Sequence, residues 1–119
     1  MRIDGLQYCN WSPEIFQQMA EGRVDCVHVT IAYHENFREM VAVIESWNRF
    51  FEHFSDRLVQ ALTATDVRQA KAEGKTAIIF GFQNPSPIED DIGLVEIVHQ
   101  LGVRFMQLSY NNQSLLATG

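Results

Sequence analysis

Three phrases in this chain, AEGRVDCVHVT, AEGKTAIIFG and QLGVRFMQLS, share one pattern. Each closes a helical stretch, turns on a glycine and runs into an apolar, β-branched segment. Helices and strands alternating at this spacing imply right-handed βαβ units, and therefore a parallel sheet buried on both faces. The class is α/β. About five strands are expected, and their apolar character requires cover on both sides. A small open parallel sheet of the flavodoxin type closes at 119 residues, whereas a (β/α)₈ barrel takes about 250. On length alone the open sheet is favoured.

Local signals divide the chain further. Ser12 as N-cap, Pro13 at the first helical position and Gly22 as a left-handed C-cap predict a helix over 13–21. RVDCVHVTIAY reads as a strand. Phe37, Val41, Ile44, Trp47, Phe51 and Phe54 recur at steps of three and four, so 36–54 is an amphipathic helix. A short strand over 58–62 and a short helix over 66–73 follow. TAIIFGFQ is a strand. SPIEDDIGLVEIVHQLG then carries a capping box of Ser86 with Glu89, Pro87 at the first position and Gly102 at the exit. The stripe expected to be buried on that helix is Ile88, Ile92, Val95, Val98 and Leu101. VRFMQLSY is the last strand and NNQSLLATG a polar loop.

Composition removes several function classes. A net charge of -6 and a pI near 5.0 disfavour nucleic acid, whose backbone demands clustered Lys and Arg. AIIFGF is far shorter than the roughly 20 apolar residues that cross a bilayer, so no membrane partner is expected. MRIDGLQYC lacks the charged-then-apolar order of a secretory signal, which makes a cytoplasmic location the expectation. Cys9 and Cys26 alone build neither a disulfide framework nor a four-thiolate zinc site.

In α/β folds, function collects beyond the carboxyl ends of the strands. That rule selects Tyr8, Cys9 and Asn10, then Tyr33, His34 and Glu35, then Gln83 and Asn84, and finally Tyr110, Asn111, Asn112 and Gln113. HENFR starts like a zincin motif, but Arg38 stands where the second imidazole belongs. His28 and His34 share a strand and its extension, while His53 and His99 sit on helices; none amounts to a metal site by itself. Cys9 lacks an activating neighbour in the local sequence and reads as a small buried thiol. Ser86 reads as a helix cap. The turn before it repels anions, because Glu89, Asp90 and Asp91 already occupy the helix start.

GKTAIIFGFQNPSPIEDDIGLVEIVHQLGVRFMQLSYNNQSLLATG resembles the membrane dipeptidase (renal dipeptidase) family of the amidohydrolase superfamily. RIDGLQY matches the first barrel strand and LGVRFMQLSYNNQ the fourth. The resemblance implies that 1–119 is a single-domain segment, the first four or so βα units of a truncated (β/α)₈ barrel. It also implies two zinc ions at the barrel mouth and hydrolysis of dipeptides. A His-x-Asp pair on the first strand would reach one metal, since residues two apart on a strand point the same way. A glutamate on the third strand would bridge both.

Leu6 and Tyr8 stand at the His-x-Asp positions, Gln83 at the bridging glutamate, and Tyr110 at a substrate-contacting histidine. Leu6 has no donor atom, and the neutral Gln83 amide removes the charge that holds two dications together. No metal ligand is therefore assigned, no catalytic residue is singled out, and the zinc pair that the family implies is not expected to form here. Tyr8, His34, Gln83, Tyr110, Asn112 and Gln113 are the expected substrate-binding residues, orienting a small polar molecule by hydrogen bonds and aromatic contact. Two functions follow. One is a dipeptidase-like amidohydrolase with a degenerate first half of its metal site; the other is a metal-free relative that binds a small amide or amino-acid-like ligand. The oligomeric state stays open, with a homodimer the expectation the resemblance adds.

Overall fold

The computed structural model describes Met1–Gly119. Its strands are β1 (Ile3–Gln7), β2 (Cys26–Ala32), β3 (Leu58–Gln60), β4 (Thr76–Phe82) and β5 (Val103–Met106). Its helices are α1 (Pro13–Glu21), α2 (Phe37–His53), α3 (Ala64–Ala72) and α4 (Leu94–Gln100), with a 3₁₀ turn over Ser86–Ile88. The strands pair in parallel, so the α/β expectation holds. No helix is long and apolar enough to cross a membrane. The chain divides into two compact units, Met1–Val29 with Asn48–Ile79 and Thr30–Trp47 with Phe80–Gly119, and the division falls inside β2, α2 and β4.

In the first unit, β1 pairs with β2 from Ile3↔Cys26 onward. The Ala77 amide donates to Asp25 O at 2.9 Å, which begins the β2–β4 pairing. β3 pairs with β4 through Leu58↔Thr76, Val59↔Ala77 and Gln60↔Ile78. Cys26, Ala61, Val67, Ala70 and Ala77 form a buried cluster under Val59 and Ile79. Phe16 of α1 lies edge-on to Phe50 and Phe54, with ring centroids 5.3 and 5.2 Å apart. At the amino ends of the strands, Asp25 accepts from Lys71 Nζ at 2.8 Å and from the Arg2 amide at 2.6 Å.

The caps in this unit follow the residue chemistry, with one displacement. Ser12 Oγ accepts from the Ile15 amide at 3.4 Å, and Pro13 takes the first position, as the sequence predicts. Gly22 is not left-handed: its φ is -72° and Arg23 carries the positive φ of 53°. The reason is the closing pattern, in which Arg23 N donates to Ala20 O and Val24 N to Met19 O, putting the left-handed position one residue past the glycine. α3 starts earlier than the sequence suggests, because Thr63 and Asp66 form a reciprocal capping box. There Gly74, at φ 72°, does fall on the left-handed position.

In the second unit, the Gln83 amide donates to Ala32 O at 3.0 Å, continuing the β2–β4 pairing. β4 pairs with β5 through Phe80↔Val103, Gly81↔Phe105 and Phe82↔Met106. α2 begins with a second capping box, in which the Glu39 amide donates to Asn36 Oδ1 and the Asn36 amide to Glu39 Oε2, both at 2.9 Å. Met40 and Trp47 are its buried anchors, and Trp47 packs against Phe80.

Two expectations fail. Burial on both faces holds for β2 and β4 but not for β1 or β5, where Ile3, Leu6 and Phe105 are exposed, each strand having one pairing partner. The single helix from Ser86 to Leu101 is also absent. Ser86 makes no side-chain cap bond, Glu89 takes φ 55°, and the helix proper begins only at Leu94. The Glu89 carboxylate leaves its local frame to accept from the Phe37 amide at 3.3 Å. Asp91 Oδ1 meanwhile accepts from the Gly93 amide at 2.9 Å, a tight turn that competes with helix. Of the predicted stripe only Ile88 and Val98 are buried, and Ile92 is 71% exposed.

Candidate functional site

β2 and β4 deliver polar residues to one end of the second unit because each apolar run stops where its carboxyl end meets a loop. Gln83, the first residue past β4, is 6% exposed, and its Nε2 donates to Thr30 Oγ1 at 2.9 Å. The pairing satisfies a buried amide with a buried hydroxyl and brings no charge.

Asn84 follows, also buried. Its Nδ2 donates to Tyr33 O at 2.8 Å, and its Oδ1 accepts from the Tyr110 amide at 2.9 Å. One side chain thus joins the loop after β2 to the loop after β5. Between those loops the Tyr33 and Tyr110 rings meet edge to face, centroids 4.9 Å apart at 75°, the arrangement that ring quadrupoles favour. The His34 ring leans on Tyr33 at 4.1 Å. Beside this frame opens a cavity of about 600 Å³, lined by His34, Asn84, Pro85, Ser86, Glu89 and the 112–116 loop.

Glu35 belongs to the frame rather than the cavity lining. Burial pushes its carboxyl up, but amide donors at Tyr33, at Glu35 itself and at His34, with the His34 ring nearby, outweigh that and hold it below the ordinary value. Its Oε2 accepts from the Tyr33 and His34 amides, which fixes the loop that carries both rings. The Ser109 and Ser114 hydroxyls brace the last loop by donating to Asn112 O and Leu108 O.

The expected site residues therefore separate. His34, Asn112 and Gln113 line the cavity; Tyr110 stands beside it through Asn84, and Gln83 lies beneath, tied to Thr30. Tyr8 belongs to the first unit, at the end of β1, and is 68% exposed. Asn84, Ser86 and Glu89 are cavity residues absent from the expected set. Position after a strand end was the available signal for Asn84; Ser86 and Glu89 carried a helix-start signal that pointed elsewhere.

The remaining chemistry-bearing groups have structural duties. His28 Nδ1 lies 2.7 Å from Gly5 O, which only accepts, so that nitrogen carries the proton and clamps β1 to β2. His53 Nδ1 meets Arg49 O on its own helix. Cys9 is half-buried, and burial pushes its thiol up, away from the thiolate that nucleophilic chemistry needs.

No three His, Cys, Asp or Glu side chains gather as a metal-holding group. Leu6 offers hydrocarbon, and the Gln83 amide nitrogen is committed to Thr30.

Comparison with known proteins places these residues in context. Residues 13–119 match the model of the membrane dipeptidase family (peptidase family M19). Dipeptidase tcpJ of Claviceps purpurea is 30% identical over 91 residues, covering 76% of this chain and 20% of that protein. Dipeptidase verJ of Clonostachys rogersoniana is 28% identical over 89 residues, 75% of this chain and 23% of that protein. Among solved structures, an amidohydrolase from Pseudomonas aeruginosa superposes with a TM-score of 0.97 at 39% identity, covering 100% of this chain and 37% of that one. The chain thus spans about a fifth to a quarter of the curated relatives it matches, and its α/β fold is the corresponding part of the amidohydrolase architecture.

Proposed function

Because the chain belongs to the membrane dipeptidase family, we propose that the protein carrying it is a dipeptidase-like amidohydrolase acting on a dipeptide or related small amide, with a degenerate first half of its metal site. The observation that carries this reading is Gln83, a buried neutral amide bonded to a hydroxyl. Two dications a few ångströms apart repel strongly, and a bridging carboxylate offsets that repulsion where a carboxamide does not. Around the cavity this segment presents carboxamides at Asn112 and Gln113, the ring of His34 and the carboxylate of Glu89. Such groups donate to and accept from a peptide-like amide, and so orient it. Tyr110 beside the cavity and Gln83 beneath it belong to the same proposed set.

In this proposal the chain is the opening four or so βα units of a barrel, the partner is a small molecule, and two copies pair as a homodimer. A cytoplasmic location accords with two free thiols. The second reading is a metal-free relative that binds such a ligand without cleaving it, and it rests on Leu6 and Gln83 standing where the family resemblance places metal ligands.

Elemental analysis of the purified full-length protein, combined with dipeptide hydrolysis, tests both. About one zinc or less per subunit with hydrolysis supports the degenerate enzyme. No metal, with dipeptide binding and no cleavage, supports the second reading. Two zinc ions per subunit refute both.

A further inference from the structure

We propose that Asn84 is the positioning residue of this site: it holds Tyr110 against Tyr33, and the mouth is organised by that uncharged clamp where the family's relatives would use ions. The inference rests on the reading of Tyr110 as a ligand contact.

Three observations carry it. Asn84 spends both ends of its amide on backbone, donating to Tyr33 O at 2.8 Å and accepting from the Tyr110 amide at 2.9 Å. A carboxamide is the side chain that offers a donor and an acceptor on one short planar group, so neither aspartate nor leucine reproduces the pair of bonds. Its two partners lie 51 and 26 residues away in sequence, so the clamp joins loops that no local turn joins. Asn84 also lines the cavity and is nine-tenths buried. The bonds are therefore partly shielded from water, and losing one partner costs the other its hydrogen bond.

The consequence concerns a ring position. Ser109 and Ser114 brace the last loop internally, while Asn84 bonds the backbone of Tyr110 itself. Without it, Tyr110 keeps its edge-to-face contact with Tyr33 at 4.9 Å, and that contact is a weak one. Asn84 touches no ligand in this account; it acts through Tyr110.

The test is a double-mutant cycle in the full-length protein, reading dissociation constants for a panel of unblocked L,L and L,D dipeptides by calorimetry. Asn84→Ala and Tyr110→Leu should each weaken binding by about tenfold, the scale of a lost buried hydrogen-bonded contact. The double variant should be no weaker than the poorer single, because residues acting as one unit are not additive. Where cleavage is measurable, KM should rise by more than kcat falls. Hydrogen exchange at the Tyr110 amide should quicken in Asn84→Ala and stay unchanged in Tyr110→Leu. Asn84→Asp, which keeps the acceptor and loses the donor, should be intermediate, and it decides the matter by the same criterion if Asn84→Ala does not fold. Losses that multiply in the double variant, or wild-type binding by both Asn84 variants, overturn the clamp while leaving the reading of Tyr110 intact. A silent Tyr110→Leu, or an unaltered protein that binds none of the panel, overturns that reading and the clamp with it.

Discussion

Gln83→Glu restores the acidic residue that the family resemblance places at this position, and the structure predicts that restoration alone is harmful. Gln83 is 6% exposed and its side-chain partner is the Thr30 hydroxyl. An ionised carboxyl there keeps one neutral donor and loses most of its water. Burial of this degree raises a glutamate by about three units, from about 4.3 unfolded to about 7 folded. Each unit is about 1.4 kcal/mol. The sign follows from linkage: with the folded value raised, the variant suffers no penalty while the carboxyl is protonated in both states. It loses stability as pH climbs from the unfolded value through the folded one. The penalty is then about 1 kcal/mol at pH 5 and about 4 kcal/mol at pH 8. Equilibrium denaturation of the full-length protein and the variant at those two pH values, with a chelator present, measures it. If the proposed loss of the metal pair is right, zinc added at pH 8 should not recover the stability. A gap between the two proteins that is the same at pH 5 and pH 8 would refute the reasoning, and a recovery with zinc would refute the reading of the site as unable to hold the metal pair.

Two capping positions separate what the local sequence suggests from what the fold does. Thr63→Ala removes a capping-box bond present at α3 and should cost about 1 kcal/mol. Ser86→Ala, whose buried Oγ has no hydrogen-bond partner, should change stability by less than about 0.5 kcal/mol. Denaturation midpoints compare the two, and equal costs would restore Ser86 as a cap. Burial pushes the Cys9 thiol above its ordinary value, so its alkylation by iodoacetamide, followed by peptide mass spectrometry, should be slower than that of free glutathione at pH 7. The rate should still climb at pH 9, and a plateau by pH 8 would contradict the environment described.

What was legible in the sequence is what depends on neighbours in the chain. β2 and β4 announce themselves as β-branched runs behind a glycine, and α1 by Ser12 and Pro13, whose cap geometry is local by construction. The period of α2 also survives, although Met40, a main anchor, is absent from the predicted stripe. Ser86, Pro87 and Glu89 form as clear a helix-start signal as Ser12 does, yet no long helix follows. The difference lies in a partner that local reading does not see. The Glu89 carboxylate is claimed by the Phe37 amide, 52 residues away. A capping residue with a better partner elsewhere no longer caps, and the nearby Asp91–Gly93 turn completes the break.

The same distinction governs the site. Gln83 was identifiable because a strand end is a local fact and the family resemblance expects an acid where this amide stands. Asn84, one residue on, carried the same positional signal, but its importance comes from two partners that only the fold supplies. Sequence therefore reveals which charges a site lacks more readily than it reveals what stands in for them. Metal ions organise a mouth from its centre, because a cation gathers its ligands wherever they attach. Hydrogen bonds organise it edge to edge, each fixing one loop to one other through a side chain with a donor and an acceptor placed between them. Thr30–Gln83 and Tyr33–Asn84–Tyr110 have that form. A substitution at Asn84 should then loosen the Tyr33–Tyr110 contact, and quickened hydrogen exchange at the Tyr110 amide would report it.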